Sequence, residues 1–250
     1  MAAAILPALR QVHSGSTVTA SNLAERVVLM SSSALFTGLS QSASERIATL
    51  ARPRVFARDE LLFMQGQPAR HLVLIRTGAV KITQLSPNGS EVILWMYGTG
   101  NVAGVLSEPS ANCYTSSARA MEQSTALVWD YAVLQSLMAE YPQIRRNISQ
   151  ILSNRLGELE ERFREVATEK VAKRLVLALL RLLKHIGKKV DGGIEVSLSR
   201  EELAQMTGTT LFTISRILSQ WGQLGFVLPK RESVLVRDAR RLELAGDEIG

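Results

Sequence analysis

Three features of this 250-residue sequence predict an α+β fold made of an N-terminal β-roll of jelly-roll character, a long helix and a C-terminal winged helix-turn-helix. Short β-rich runs recur at regular intervals through residues 53–130. A run of apolar residues at steps of 3 and 4 follows, through residues 148–166. Two short helical patterns joined by a Gly-containing break close the series at residues 199–221. The domain boundaries this implies are a mobile N-terminal arm over 1–32, the β-roll over 33–140, a dimerisation helix over 141–167 and the winged helix-turn-helix over 168–250.

Residues 1–30 are rich in Ala, Ser and Thr and hold one weak amphipathic patch at 23–30, hence the expectation of an arm. From Ser33 onward Leu35, Phe36, Leu39, Ile47 and Leu50 suggest short helices, with Ser44 and Glu45 near a helix start. The β region is carried by the runs 72–75, 80–83 and 92–96, separated by Gly78-Ala79 and by the segment 86–90. Asn88-Gly89 is a strong turn signal because both residues tolerate positive φ. Strands so short and so evenly spaced point to a barrel or roll.

Pro142 suits the first turn of a helix. Ile148, Leu152, Leu156, Leu159, Phe163 and Val166 then recur at steps of 4, 4, 3, 4 and 3, a seam that asks for a partner helix, flanked by Glu158, Glu160, Glu161, Arg162 and Arg164. A helix of about 25 residues outruns a small roll, so the seam predicts a parallel homodimer rather than burial against its own β domain. Thr168 is expected to cap the next helix, with Val171, Leu175, Leu179, Leu182 and Leu183 facing a core and Gly187 ending it. Asp191-Gly192-Gly193 makes a turn before a strand over 194–198.

Ser199 is a good N-cap for a short helix with Leu203 and Met206 on one stripe, and Thr207-Gly208-Thr209 breaks it. Thr210 caps a second helix whose Ile214, Ile217, Leu218 and Trp221 share one face while Thr213, Ser215, Arg216 and Ser219 occupy the other. An apolar stripe that docks and a polar face that enters a major groove are what a DNA-reading helix-turn-helix requires, although an ordinary helical hairpin with solvated hydroxyls has the same pattern. The runs 225–228 and 234–236 form a hairpin, with Lys230 and Arg231 at its tip in reach of a phosphate or simply solvated. Arg200, Thr210, Phe212, Thr213, Ser215, Arg216 and Lys230 are the candidate DNA contacts.

Composition agrees with this picture. Hydrophobic residues at 46% and charged residues at 21% describe a globular protein, and a net charge of +6 suits an anionic partner such as DNA. The single Cys113 excludes an intramolecular disulfide, a Cys-rich zinc site and an iron–sulfur cluster held by four thiolates of one chain, so a reducing cytoplasm is the expected home. No apolar run approaches the roughly 18 residues of a membrane span, and no membrane partner is expected.

In its ordering of parts, residues 35–240 resemble the family of bacterial regulators typified by the cAMP receptor protein and the fumarate-nitrate reductase regulator. Gly66, Gly78, Gly89, Gly100 and Gly104, spaced 12, 11, 11 and 4, reproduce the family's β-roll spacing. Thr213-Ile214-Ser215-Arg216 matches its recognition-helix run. The resemblance implies a sequence-specific transcription regulator that binds double-stranded DNA at a palindromic operator as a homodimer, works with RNA polymerase and catalyses nothing. By it, Arg216 reaches a guanine edge, Thr210 and Thr213 hold phosphates, and Ser215 lies against the groove. Phe212 stands where the family usually has a Glu that accepts from cytosine, and it would touch a thymine methyl instead.

The effector pocket departs further. Cyclic-nucleotide binders of the family carry Gly-Glu at Gly104-Val105 and Arg-Ser at Tyr114-Thr115, and they read the adenine at the position of Leu159-Glu160. Without the Glu and the Arg, cAMP is not the expected cofactor. The N-terminal Cys cluster of the oxygen-sensing branch is also missing. What is left resembles the branch that senses small gases, sometimes through haem, or one that works without a ligand, and the run 210–216 resembles nitric-oxide-responsive denitrification regulators. A haem would have to use His13, His71 or His185, although a lone His is more often a surface or capping residue. Cys113 is either an oxidisable sensor thiol or a small buried apolar residue.

Two other classes compete. Gly98-Thr99-Gly100 with Gly104 hints at a dinucleotide loop, but the segment 107–110 carries Pro109 and cannot supply the helix N-terminus that motif needs. A ligand-binding module with a degenerate helix-turn-helix is the third reading, resting on Phe212 alone.

Overall fold

The computed structural model describes residues 20–104, 106 and 113–248. Eight antiparallel strands form the roll: β1 (Arg52–Phe56), β2 (Leu61–Phe63), β3 (His71–Thr77), β4 (Val80–Leu85), β5 (Glu91–Tyr97), β6 (Val102–Gly104), β7 (Ser117–Ala120) and β8 (Ser124–Asp130). They pair as two four-stranded sheets ordered β1-β8-β3-β6 and β2-β7-β4-β5, so successive strands alternate between layers except at the β4–β5 hairpin, as in a jelly roll. All five glycines of the 12-11-11-4 series have φ between +81 and +92. At Gly78 a Cβ would lie 2.2 Å from Ser124 Oγ, so both the backbone conformation and the packing exclude a side chain.

One face of the first sheet is covered by helices. α1 (Ala20–Ser31), α2 (Gln41–Thr49, capped by Ser40 rather than near Ser44), α3 (Tyr131–Glu140) and the start of α4 (Pro142–Thr168) bury Met30, Ile47, Leu134 and Ile144 against Leu72, Leu127 and Trp129, joined by Phe36 of a short 3-10 turn over Ala34–Phe36. The expected mobile arm to residue 32 therefore does not hold from Ala20 onward. Arg26 is buried and donates to the carbonyls of Ala48 and Ala51, both at 3.2 Å, which closes the C-terminal end of α2 onto α1.

The long helix is α4, of 27 residues, with Pro142 in its first turn as expected. Thr168 is its last residue rather than the cap of the next helix, and its hydroxyl donates back to Arg164 O. Lys170 precedes α5 (Val171–His185). Then come β9 (Lys188–Val190), β10 (Gly193–Val196), α6 (Arg200–Thr207), α7 (Leu211–Gln223), β11 (Val227–Pro229), β12 (Val234–Val236) and α8 (Ala239–Glu248). The strand expected to reach Leu198 stops at Val196, because Ser197 and Leu198 lead into the cap of α6. The four strands form one sheet, β11-β12-β10-β9, which is the wing.

The C-terminal core does not end at the domain boundary. Ile93 and Met96 of β5 are buried in the same cluster as Leu175, Leu203, Leu218 and Trp221. Beside it Lys81 Nζ of β4 donates to Glu202 Oε1 of α6 at 2.9 Å, both side chains largely buried. Apolar burial and an ion pair together dock the helix-turn-helix on the roll.

Candidate nucleic-acid interface and effector pocket

The helix-turn-helix is built from local chemistry. Ser199 Oγ accepts from Glu202 N and Glu202 Oε2 accepts from Ser199 N, at 3.2 and 3.0 Å, a complete capping box. Gly208 ends α6 at φ 60° and ψ 47°, a left-handed conformation that glycine adopts without steric cost and that turns the chain into α7. Thr210 caps α7 by accepting from Thr213 N. Ile214, Ile217, Leu218 and Trp221 are buried as the 3-and-4 spacing requires.

On the outer face Phe212 is 82% exposed, Arg216 is exposed, and Thr213 and Ser215 are half-buried beside them. Among the described residues no carboxylate or carbonyl takes the Arg216 guanidinium, so an isolated cation stands beside an exposed aromatic ring. The Thr210 and Thr213 hydroxyls bond each other at 3.0 Å. One of their two protons is spent internally, which leaves the pair a single donor for a phosphate. Arg200 sits in the first turn of α6, half-buried, its Nε without a partner among the described residues. At the wing the expectation for Lys230 needs correction. Its ammonium donates to Glu195 Oε1 at 2.7 Å, and that hydrogen bond, joined by one from Ser233, holds the Glu195 carboxyl below its ordinary range. Arg231 is the exposed cation left at the tip.

A second site lies in the roll, a cavity of about 460 Å³. The structure does bring Gly104, Tyr114, Thr115 and Leu159 to its wall, together with Cys113, whereas Val105 lies outside the described residues. Tyr114 presents its ring rather than its hydroxyl. The ring stacks on Phe63 at 4.2 Å, and the oxygen accepts from the Arg70 and His71 amides at 3.2 and 2.9 Å. Gly104 is needed by the backbone, since a Cβ there would meet His71 O at 2.3 Å. One feature the sequence reading missed is Arg155, which supplies this wall with a cation although Tyr114 does not. It donates to Val102 O at 2.7 Å and lies over the Tyr97 ring at 5.1 Å.

His71 and His185 do not line the cavity and His13 lies outside the described residues, so among the described residues no imidazole is placed to hold a haem there. His71 sits at the start of β3 with Nδ1 3.0 Å from Asp130, its pKa lowered by burial.

The predicted dimer seam divides. Ile148 is buried in its own subunit beside Leu35 and Phe36 and drops out of the interface. Leu152, Leu156, Leu159, Phe163 and Val166 are exposed, Phe163 by 77%. The opposite face of α4 turns charge inward: Arg155 covers Tyr97, and Arg162 covers Trp95 at 4.7 Å. A helix that shows water its leucines and packs its arginines inward offers an apolar stripe of the kind a second helix covers. The inward stripe was visible in the sequence as Arg155, Glu158 and Arg162 at steps of 3 and 4, but charge alone reads as solvated.

Residues 53–141 match the cyclic nucleotide-binding domain family and residues 173–245 the Crp-like helix-turn-helix domain family. The chain is 28% identical over 216 residues to a CRP-like cAMP-activated global transcriptional regulator of Mycobacterium tuberculosis, covering 86% of this chain and 96% of that one. It is 27% identical over 214 residues to the cyclic AMP receptor protein of Thermus thermophilus, covering 86% and 97%. Among solved structures, FixK2 from Bradyrhizobium japonicum has the same fold, with a TM-score of 0.68 and 22% identity over 78% of this chain and 96% of that one.

Proposed function

The chain belongs to the family typified by the cAMP receptor protein and the fumarate-nitrate reductase regulator, and we propose from that premise that it regulates transcription as a homodimer, each subunit laying α7 in one major groove. The observation that carries the reading is the outer face of α7, where the uncommitted Arg216 and the exposed Phe212 stand on a helix fixed by its caps and its buried stripe. Arg216 makes the bidentate contact to a guanine, Phe212 meets a thymine methyl, and the Thr210–Thr213 pair and Arg200 bind backbone phosphate. Two-fold symmetry along the exposed face of α4 then calls for a palindromic operator with half-sites about one helical turn apart. RNA polymerase is the further partner this reading includes, and no catalytic step belongs to it.

In a gel shift on duplex selected from a random pool, Arg216→Ala weakens binding by about 1–3 kcal/mol and relaxes preference at one base pair. Equal affinity and equal selectivity in that variant would remove the base-reading role. For the cavity in the roll we propose a ligand other than cAMP, because Tyr114 stands where the family's cyclic-nucleotide binders carry the Arg that takes the phosphate, and its hydroxyl is held by the Arg70 and His71 amides. Calorimetric titration with cAMP should give no saturable heat, and a micromolar isotherm would overturn this part.

A further inference from the structure

We propose that the joint between the roll, the long helix and the DNA-binding domain is a second binding site, made for a small metabolite through its oxyanion group, carboxylate or phosphate. A cavity of about 280 Å³ opens there, walled by Trp95 and Tyr97 of β5, Arg155 and Arg162 of α4, and Arg181 and His185 of α5. Arg181 and His185 belong to this cavity alone, whereas Trp95, Tyr97 and Arg155 also border the cavity in the roll.

The walls hold donors with nothing to donate to. Tyr97 is only 8% exposed, and its hydroxyl has no hydrogen-bond partner among the described residues. The Nε groups of Arg162 and Arg181 are buried and unpartnered in the same way. A buried donor without an acceptor is destabilising, so three residues that carry one and line the same cavity call for an acceptor.

The charge balance selects an anion. Three guanidiniums face Glu158 on the wall and Glu165, which takes both terminal nitrogens of Arg181 at 2.6 and 2.8 Å. The excess is one positive charge. His185 adds none at neutral pH, because burial lowers its pKa. Burial and then the nearby Arg181 charge also lower the pKa of Arg162, a like-charge strain that an anion between them relieves. With a single uncommitted carboxylate among three arginines, the site does not suit a cation.

The site is also preorganised. Arg155 and Arg162 are tied to the carbonyls of Val102 and Leu94 and stacked over Tyr97 and Trp95. Little side-chain entropy is therefore left to lose on binding. The volume is that of a small-ligand site.

The test is calorimetric titration of the full-length protein with sodium phosphate and, separately, sodium succinate, at neutral pH and at ionic strength held constant with sodium chloride. The proposal expects saturable binding of at least one. Phosphate alone identifies a phosphate ester as the natural ligand class, succinate alone a carboxylic acid, and both an unselective oxyanion site. Tyr97→Phe should weaken binding about tenfold while its own melting temperature stays level or rises, since it deletes an unsatisfied buried hydroxyl. Arg181→Lys keeps a cation for Glu165 but loses Nε–H, and it should also weaken binding about tenfold. Absence of saturable binding to either anion, or unchanged affinity in Tyr97→Phe, overturns the proposal. Weakening by Tyr97→Phe with none by Arg181→Lys moves the anion to the neighbouring cavity and overturns it equally.

Discussion

Phe163 gives the sharpest handle on assembly, because the subunit itself barely uses it. Its ring is 77% exposed on α4, between Leu159 and Val166. Burying a Phe completely is worth roughly 1.5–3 kcal/mol, so covering the exposed three quarters yields about 2 kcal/mol per subunit. In a two-fold interface the ring occurs twice, and Phe163→Ala therefore costs the dimer about 4 kcal/mol. At about 1.4 kcal/mol per decade that is near a thousandfold in dissociation constant. Sedimentation velocity across a concentration series should show the variant dissociating where the wild type remains paired. Thermal unfolding of the separated subunit should be almost unchanged, since little is buried against the ring within one chain. DNA affinity should fall with dimerisation, because one recognition helix keeps only half of the contacts. A variant that dimerises as tightly as wild type would refute the assignment of this face.

The remaining predictions concern the joint. Burial alone would raise the pKa of Glu202, but hydrogen bonds from Lys81 and Ser199 outweigh it and hold the carboxyl below its ordinary value of 4.5. A lowered folded pKa means that its stabilisation is complete above that value and is lost as pH falls through the folded one. The melting temperature should therefore decline from pH 5 to pH 3, and Glu202→Gln should lower it at pH 7 while flattening that decline; an equally steep decline in the variant would exclude Glu202 as the source. Lys81→Met removes the ion pair and leaves the capping box, so it should free the DNA-binding domain with a loss of about 1–2 kcal/mol, read as faster amide exchange in α6.

The parts of the fold that local chemistry dictates were legible in the sequence. Gly78 and Gly104 occupy positions where a Cβ would strike Ser124 or the His71 carbonyl, so their spacing reports the roll directly. Ser199, Glu202, Gly208 and Thr210 cap and break helices by short-range hydrogen bonds, and the helix-turn-helix follows from them. α1 was not legible, because its anchor is a buried arginine, Arg26, whose partners are carbonyls 22 and 25 residues away. Ile148 shows the limit of periodicity. It keeps the 4-residue step of the seam, but spacing says only that a face is covered, and here Leu35 and Phe36 of the same subunit cover it, from the short 3-10 turn before α2. Lys230 and Arg155 were misjudged or missed for one reason: the carboxylate, carbonyl or ring that takes a cation is set by tertiary contact, and no local pattern announces it.

Hydroxyl-radical footprinting on duplex selected from a random pool tests the central claim most directly. The account predicts two protected patches related by two-fold symmetry, with centres about one helical turn apart and two chains bound per site. A single protected patch with one chain bound, or protection without regard to sequence, would contradict it.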